Sequence, residues 1–473
     1  MINILLVVII DTHFVELSRL ARLLSSTGKY HPIFWFNYKY PALERDLEVC
    51  RKENWEYIPP TEAIETPIIT PKPDSIKKNI KKFVKRYLLR FIPSVILRLL
   101  FYRYEIKSQK DFLTQLVSQI KSILNLRDFA LLVLSEDNIG YFSNVIIRCG
   151  KEAGISTVVL PYTICNASEA AEYFYDNPVY WVNSSFINRF IAKKYPLWIY
   201  EHRGRKLFRL IPSTIWALES LGYHCQNPWK LNSDNSATIA VENEHMFSYY
   251  KDDGVNVERM VQTGAIYDDV LATNSVNADQ KKKKLIEELG MTENLPILLC
   301  ALPPNQFPRE CEFADYASLV KFWMESLAAI QGWNVLIRPH PRQTAAEIAA
   351  LEKFGLKVTT ADTASLVPLC DLYLASVSAT IRWAIACGKP VINYDVYRMN
   401  YKDYAGVGGV LTMDNRDRYL STLHKLTQDQ VFFAEIQKLQ IENSRSWGKL
   451  DGKSSERIIQ LFDNMIANNS PKA

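Results

Sequence analysis

The sequence predicts an α/β protein built as two doubly wound lobes that face each other across a cleft. Short apolar runs alternate with helix-length amphipathic segments through most of the chain, the pattern of parallel strands covered by helices. With 473 residues, the chain exceeds what one hydrophobic core usually serves. Hydrophobic residues make up 48% and charged residues 23%, with 17 Gly and 22 Pro, which excludes collagen-like, low-complexity and largely disordered chains. The formal net charge of +5 is too small at this length to demand a nucleic-acid partner.

The first strand is expected at Ile2 to Ile10. Its apolar run Ile4 to Ile10 is far short of the roughly 18 to 20 residues that span a bilayer. No Lys or Arg precedes it and Asp11 follows, so it reads as a buried strand rather than a signal-peptide core. Further strands are expected at Pro32 to Phe36, Phe129 to Leu134, Thr157 to Leu160 and Ala237 to Val241. Helices are expected at Phe14 to Ser25 and Phe142 to Ala153. The segment Thr263 to Asp269 leads into the run Lys281 to Lys284, a solvated helix start or linker, and closes a first lobe over residues 1–284. A second lobe, residues 285–440, carries strands at Pro296 to Ala301, Asn334 to Ile337, Lys357 to Thr359, Leu372 to Ala375 and Pro390 to Asn393. The chain from about Arg416 to Ala467 is helical in pattern, and residues 441–473 are long enough to pass back across the first lobe. The eight cysteines include no CxxC pair, which argues against a zinc knuckle, a redox motif or a disulfide framework and favours reduced, cytoplasmic thiols.

One stretch departs from the strand–helix alternation, an insertion over about residues 74–110. Between Ile76 and Phe91 apolar residues recur at helical spacing, while Lys77, Lys78, Lys81, Lys82, Lys85, Arg86 and Arg90 fill the other faces without an acid. Val95 to Lys110 adds Arg98, Arg103 and Lys107 beside Ile96, Leu97, Leu99, Leu100 and Phe101. A basic amphipathic helix of this kind docks either on its own lobe or, reversibly, on an anionic membrane surface.

In open α/β lobes ligands sit beyond the carboxyl ends of the strands, so the residues after each strand are the candidates. After Asn334 to Ile337 comes Arg338-Pro339-His340-Pro341-Arg342, an imidazole between two prolines and two guanidiniums, suited to an anion. His340 there can donate to a phosphate oxygen or protonate a departing phosphate. After Leu372 to Ala375 come Ser376, Ser378 and Thr380, followed by a helix; hydroxyls and free amides in that position bind phosphate or simply cap the helix. In the first lobe Ser135-Glu136-Asp137-Asn138 follows a strand, and either Glu136 or Asp137 could serve as general base for an acceptor hydroxyl. His13, after the first strand, faces the same mouth as a donor or acceptor contact.

Glu242, Glu244 and His245 are a poor metal signal, and Asp252-Asp253-Gly254 reads as a turn. GxGxxG, Walker, HExxH and nucleophile-elbow motifs do not occur, which disfavours NAD-dependent redox, P-loop, zinc-peptidase and serine-hydrolase chemistry.

With these residues in view, the second lobe resembles the nucleotide-binding half of GT-B glycosyltransferases, which pair two Rossmann-like lobes. It is most similar to bacterial sialyltransferase, polysialyltransferase and capsule-assembly enzymes. His340-Pro341 matches their HP motif; Ser376, Ser378 and Thr380 match their Ser/Thr-rich motif; Glu136-Asp137-Asn138 approximates their acidic motif, with Asn138 in place of Gly. Many GT-B enzymes carry a ribose-binding Glu before the turn that is Gly388-Lys389-Pro390 here, where this chain has Trp383. The resemblance implies Glu136 as base and His340 with the hydroxyls on the leaving phosphate. It implies an inverting, metal-independent transferase with no cofactor beyond its nucleotide-sugar donor. The favoured donor is a CMP-activated acidic sugar, a sialic-acid-like nonulosonic acid or Kdo. The acceptor would be a surface polysaccharide or glycolipid, and the site of action the inner face of a bacterial cytoplasmic membrane. Val261-Gln262-Thr263-Gly264 to Asp269 also resembles the interlobe segment of UDP-GlcNAc 2-epimerases and CDP-glycerol transferases, which keeps both activities open. A membrane-docked nucleotide or carbohydrate binder is the non-enzymatic alternative.

Overall fold

The computed structural model describes residues 1–60, 94–164, 167–225, 227–233, 236–305, 311–341, 343–376 and 378–469. The basic residues Lys77, Lys78, Lys81, Lys82, Lys85, Arg86 and Arg90 lie outside the described residues, as does Arg342.

The first lobe contains β1 (Ile2–Val8), β2 (Tyr30–Phe36), β3 (Glu56–Ile58), β4 (Phe129–Leu134), β5 (Ser156–Val159), an antiparallel hairpin of β6 (Ile199–His202) and β7 (Arg205–Phe208), β8 (Thr238–Val241) and β9 (Met260–Gln262). All but the hairpin form one parallel seven-stranded sheet in the order β3-β2-β1-β4-β5-β8-β9. The second lobe contains β10 (Ile297–Ala301), β11 (Asn334–Arg338), β12 (Lys357–Val358), β13 (Leu372–Ala375), β14 (Val391–Tyr394) and β15 (Val410–Met413), parallel in the order β12-β11-β10-β13-β14-β15. Every strand expected from the sequence is present, with ends moved by at most two residues. β3, the β6–β7 hairpin, β9 and β15 are additions.

Burial on both faces explains the continuous apolar runs. Leu5, Val7 and Ile9 enter the core on one side of the first sheet, and Ile4, Leu6 and Val8 the core on the other. β10 repeats the arrangement, with Leu298 and Cys300 on one face and Ile297 and Leu299 on the other. The helices Ile266–Ser275 and Ala278–Glu288, the latter containing the Lys281–Lys284 run, add Tyr267, Leu271 and Ile286 to the second-lobe core.

The C-terminal stretch forms helices Arg416–Gln428, Gln430–Trp447 and Ser454–Asn469. The last returns to the first lobe, where Ile458, Leu461 and Phe462 pack with Ile4, Phe14 and Leu17. Side chains of this size contribute about 1.5–3 kcal/mol each when buried. The crossing is fixed by Asp269, whose carboxylate accepts the Ser454 and Ser455 amides at 2.9 and 2.8 Å. Gly264 (φ 82°) sits against this junction, where a Cβ would meet Ser454 Oγ at 2.2 Å.

Candidate active site

Each sheet reverses its winding direction next to its first strand. In the first lobe the chain runs outward through β1, β2 and β3 and resumes on the other side at β4; in the second it runs through β10, β11 and β12 and resumes at β13. Such switch points leave a crevice at the carboxyl ends of the two central strands, and the candidate residues follow those strands.

In the first lobe β1 and β4 are neighbours, with Val7 opposite Leu134. The helix Asp11–Ser26 begins just beyond β1 and carries His13 in its first turn. Glu136 lies two residues beyond β4, and its Oε1 is 3.4 Å from His13 Nε2, both side chains being buried. The imidazole is walled edge-on by Tyr141 and Tyr162, at ring distances of 6.2 and 5.2 Å. Between the two acids the backbone makes the distinction. The Asp137 backbone is pinned on both sides, its N donating to Asn232 Oδ1 at 2.8 Å and its O accepting from Asn232 N at 2.9 Å. Glu136 is the acid beside His13. Asn138 acts as a cap: its Oδ1 accepts from Gly140 N and from Arg209 Nη2 at 3.0 and 2.9 Å, shaping the turn Ile139–Tyr141.

In the second lobe Ala301, Arg338 and Ala375 end β10, β11 and β13. Ser376 is the first residue beyond β13; its Oγ is buried and has no hydrogen-bond partner among the described residues. Ser378 and Thr380 are joined instead. Thr380 Oγ1 bonds to Ser378 Oγ at 2.8 Å and to the Tyr373 hydroxyl, and Thr380 N donates to Ser378 Oγ at 3.3 Å. These bonds brace the turn before the helix Ile381–Ala386, whose first amides receive no side-chain cap. His340 stands on the other side of β10, in a turn closed by its N donating to Gln343 Oε1 at 2.8 Å and Gln343 N donating to His340 O at 2.9 Å. His340 and Ser376 follow β11 and β13, whose axes lie roughly 10 Å apart with β10 between them. Arg338 turns toward its own edge, where Nε donates to Ala361 O at 2.8 Å and Nη1 donates to Pro339 O. Burial lowers its pKa.

The two rims face each other, and the helix Ile381–Ala386 that follows the Ser/Thr turn supplies the link. Arg382 Nη1 donates to Glu242 Oε1 and Nη2 to Tyr162 O, each at 2.7 Å; Arg382 and Glu242 are both 1% exposed. Glu242 follows β8 and Tyr162 follows β5, so residues beyond the carboxyl ends of both sheets meet here. Through Tyr162, whose ring packs on His13, the second lobe touches the first-lobe pair. A second bridge joins Arg19 Nη2 to both Asp362 oxygens at 2.9 Å. Burial raises the Glu242 and Glu16 carboxyls, and pushes Asp268 up to about 8. The sequence reading missed Arg382; the signal was a guanidinium inside the otherwise apolar helix IRWAIA. Glu242 and His245, rated a poor metal signal in the sequence, have other roles: Glu242 pairs with Arg382 and His245 stacks on Trp447 at 3.8 Å. The described residues contain no group of three or more His, Cys, Asp or Glu able to hold a metal ion.

A cavity of about 560 Å³ opens beside these residues. It lies beyond β14 and β15, lined by Asp395, Arg398, Asp414 and Arg418, and is covered by His202 and Arg203 of the first-lobe hairpin. None of the catalytic residues expected from the sequence lines it.

Solved structures share this arrangement along the whole chain. A kitacinnamycin glycosyltransferase is 13% identical, with 98% of each chain covered and a TM-score of 0.54. CalG4, the calicheamicin glycosyltransferase, is 11% identical over 99% of this chain and 98% of its own, with a TM-score of 0.53. S. aureus MnaA with UDP is 11% identical over the same shares, with a TM-score of 0.51. The chain has the GT-B fold. No family profile matches the sequence, and no curated protein matches it significantly. Within the GT-B frame the crevices at β1/β4 and β10/β13 are the two walls of the interlobe cleft. Among the described residues no helix is long and apolar enough to cross a membrane.

Proposed function

We propose that this chain is an inverting, metal-independent glycosyltransferase that moves an acidic sugar from a CMP-activated donor to a surface-polysaccharide or lipid-linked acceptor. The observation that carries the reading is the buried His13–Glu136 pair on one wall of a cleft whose other wall carries His340 and Ser376. Glu136 is the base that takes the proton of the acceptor hydroxyl, and the buried His13 imidazole, 3.4 Å away with neither ring nitrogen hydrogen-bonded among the described residues, stands beside it as a polar neighbour. Asp137 retains a supporting role through the backbone pairing with Asn232 that aims Glu136. That hydroxyl oxygen attacks the anomeric carbon as the bond to the nucleotide phosphate breaks. Charge then grows on the phosphate, where His340 donates a hydrogen bond or a proton and Ser376 donates its hydroxyl. Ser378 and Thr380 hold the turn that aims Ser376, and Arg338 adds positive potential. The cavity beside β14 and β15, rich in planar polar side chains, has room for sugar residues.

The basic segment from Lys77 to Arg90 would hold the enzyme on an anionic membrane, at the inner face of a bacterial cytoplasmic membrane. A UDP-linked donor is the second reading, favoured by the UDP bound to S. aureus MnaA. Calorimetric titration with CMP, CDP and UDP separates the two: the cognate nucleotide binds in the micromolar range and the others at least tenfold more weakly. Equal affinity for all three, or none for any, would contradict the donor assignment. Donor turnover with and without acceptor then distinguishes a transferase from an epimerase or a binder.

A further inference from the structure

On residues that the Lys77–Arg90 segment does not include, the first lobe carries a face of exposed apolar and cationic side chains. The stretch Asn177 to Tyr200 contains no Asp or Glu. Within it the helix Phe186–Lys194 buries Asn188, Ile191 and Ala192 and leaves Phe186, Arg189, Phe190, Lys193 and Lys194 exposed. Phe190 is 58% exposed, and Leu197, just past the helix, 64%. This is an unusual surface: large apolar side chains alternate with cations along an edge where ordinary surface helices carry mixed charge.

The face continues onto its neighbours. Phe190 stacks beside Trp216 of the helix Pro212–Leu221 at 6.3 Å, and Lys194 Nζ sits 4.0 Å over the same indole. That helix is tied to the long helix Ser94–Leu124 by Thr214 Oγ1 donating to Gln109 Oε1 at 2.9 Å. In the first turns of the long helix Leu99, Leu100, Phe101 and Tyr104 are exposed. Tyr102, between them, packs against the first-lobe core, its phenol raised by burial with Glu105 and Tyr195 nearby.

We infer that the helix Phe186–Lys194 with Leu197 is a membrane-insertion element for anionic bilayers. Phe186, Phe190 and Leu197 enter the acyl boundary, while Arg189, Lys193 and Lys194 extend to lipid phosphates. Charge complementarity selects this occupant: the absence of acids across the stretch favours a negative surface, and exposed lysines at its centre are what protein interfaces deplete. The inference rests on the peripheral-membrane reading above, but assigns the contact to different residues.

The test is sedimentation of the full chain with vesicles of phosphatidylcholine alone and of phosphatidylcholine with phosphatidylglycerol. Phe190→Ser combined with Leu197→Ser is expected to weaken binding to the anionic vesicles about tenfold. Lys193→Gln with Lys194→Gln should weaken it about fivefold per charge, an effect that disappears in high salt. All these positions are exposed, so circular dichroism is expected to remain native. Undiminished binding by both variants overturns the inference. If glutamine at the seven cations of Lys77–Arg90 abolishes binding while both helix variants bind fully, the inference fails and the peripheral reading survives. A change in oligomeric state with vesicle affinity intact would reassign the face to a second copy and likewise overturn it. Turnover with a water-soluble acceptor, measured in parallel, tests the transferase reading separately.

Discussion

The two walls of the cleft solve different problems. The first-lobe wall is closed in: His13, Glu136 and Asp137 are all at most 5% exposed, and the loop after β4 is held by Asn232 and Arg209. The second-lobe wall is more open. His340, Ser378 and Thr380 are half-buried, and of its hydroxyls only Ser376 is both buried and without a partner among the described residues. On the proposed reading the difference has a reason: a base gains from exclusion of water, which leaves a few neighbours to set its proton affinity, whereas a site for a charged nucleotide has to admit its ligand. The difference teaches that Arg382 matters twice, because it lies in the helix that follows the turn of the open wall and reaches over to the Tyr162 carbonyl on the closed one.

The sharpest way to break this comparison is to remove the acid. Glu136→Gln is expected to lower kcat about 10³-fold while leaving nucleotide affinity unchanged; a proton-transfer group is worth typically 10²–10⁴-fold, and turnover with calorimetry checks both halves. Next comes the bridge. Arg382→Ala leaves Glu242 buried without its cation and should cost about 3–5 kcal/mol in urea unfolding. Arg19→Ala, whose partners Glu16 and Asp362 are 14% and 43% exposed, should cost less, about 1–2 kcal/mol.

The acidic groups at the bridge give a smaller effect with a definite sign. Between the ordinary carboxyl value and about 8 the folded chain holds a proton on Asp268 that the unfolded chain has lost, so this group makes stability fall as pH rises through that window. Thermal unfolding of wild type and Asp268→Asn between pH 5 and 8 should show a shallower decline for the variant. The smallest expected effect sharpens the contrast within the open wall. Ser376→Ala should weaken nucleotide binding about fivefold, as loss of one hydrogen bond does, and Ser378→Ala only about twofold, since its hydroxyl is engaged with Thr380.

The sequence revealed the fold well because both sheets are parallel and covered on each side, so strands such as Ile2–Val8 and Ile297–Ala301 are continuous apolar runs. Elements without such runs escaped notice. Glu56–Ile58 is only three residues at a sheet edge, and the hairpin Ile199–His202 with Arg205–Phe208 fully buries only Leu207 and Phe208, too short an apolar run to mark a strand in the sequence. For the site, the rule that ligands gather beyond strand ends selected His13, Glu136, His340 and Ser376. It could not show that Glu136 rather than Asp137 meets His13, because that depends on Asn232, far along the chain. Nor could it pair Arg382 with Glu242, separated by 140 positions. The exposed cations beside Phe190 were equally hidden, since exposure is a property of the assembled lobe.

The account is tested most directly by measuring CMP affinity in His340→Ala and Glu136→Gln side by side. If the second-lobe wall holds the nucleotide and the first-lobe wall holds the base, His340→Ala loses about tenfold or more in affinity and Glu136→Gln binds as wild type does. Unchanged affinity in His340→Ala, or a loss confined to Glu136→Gln, would contradict that division of labour.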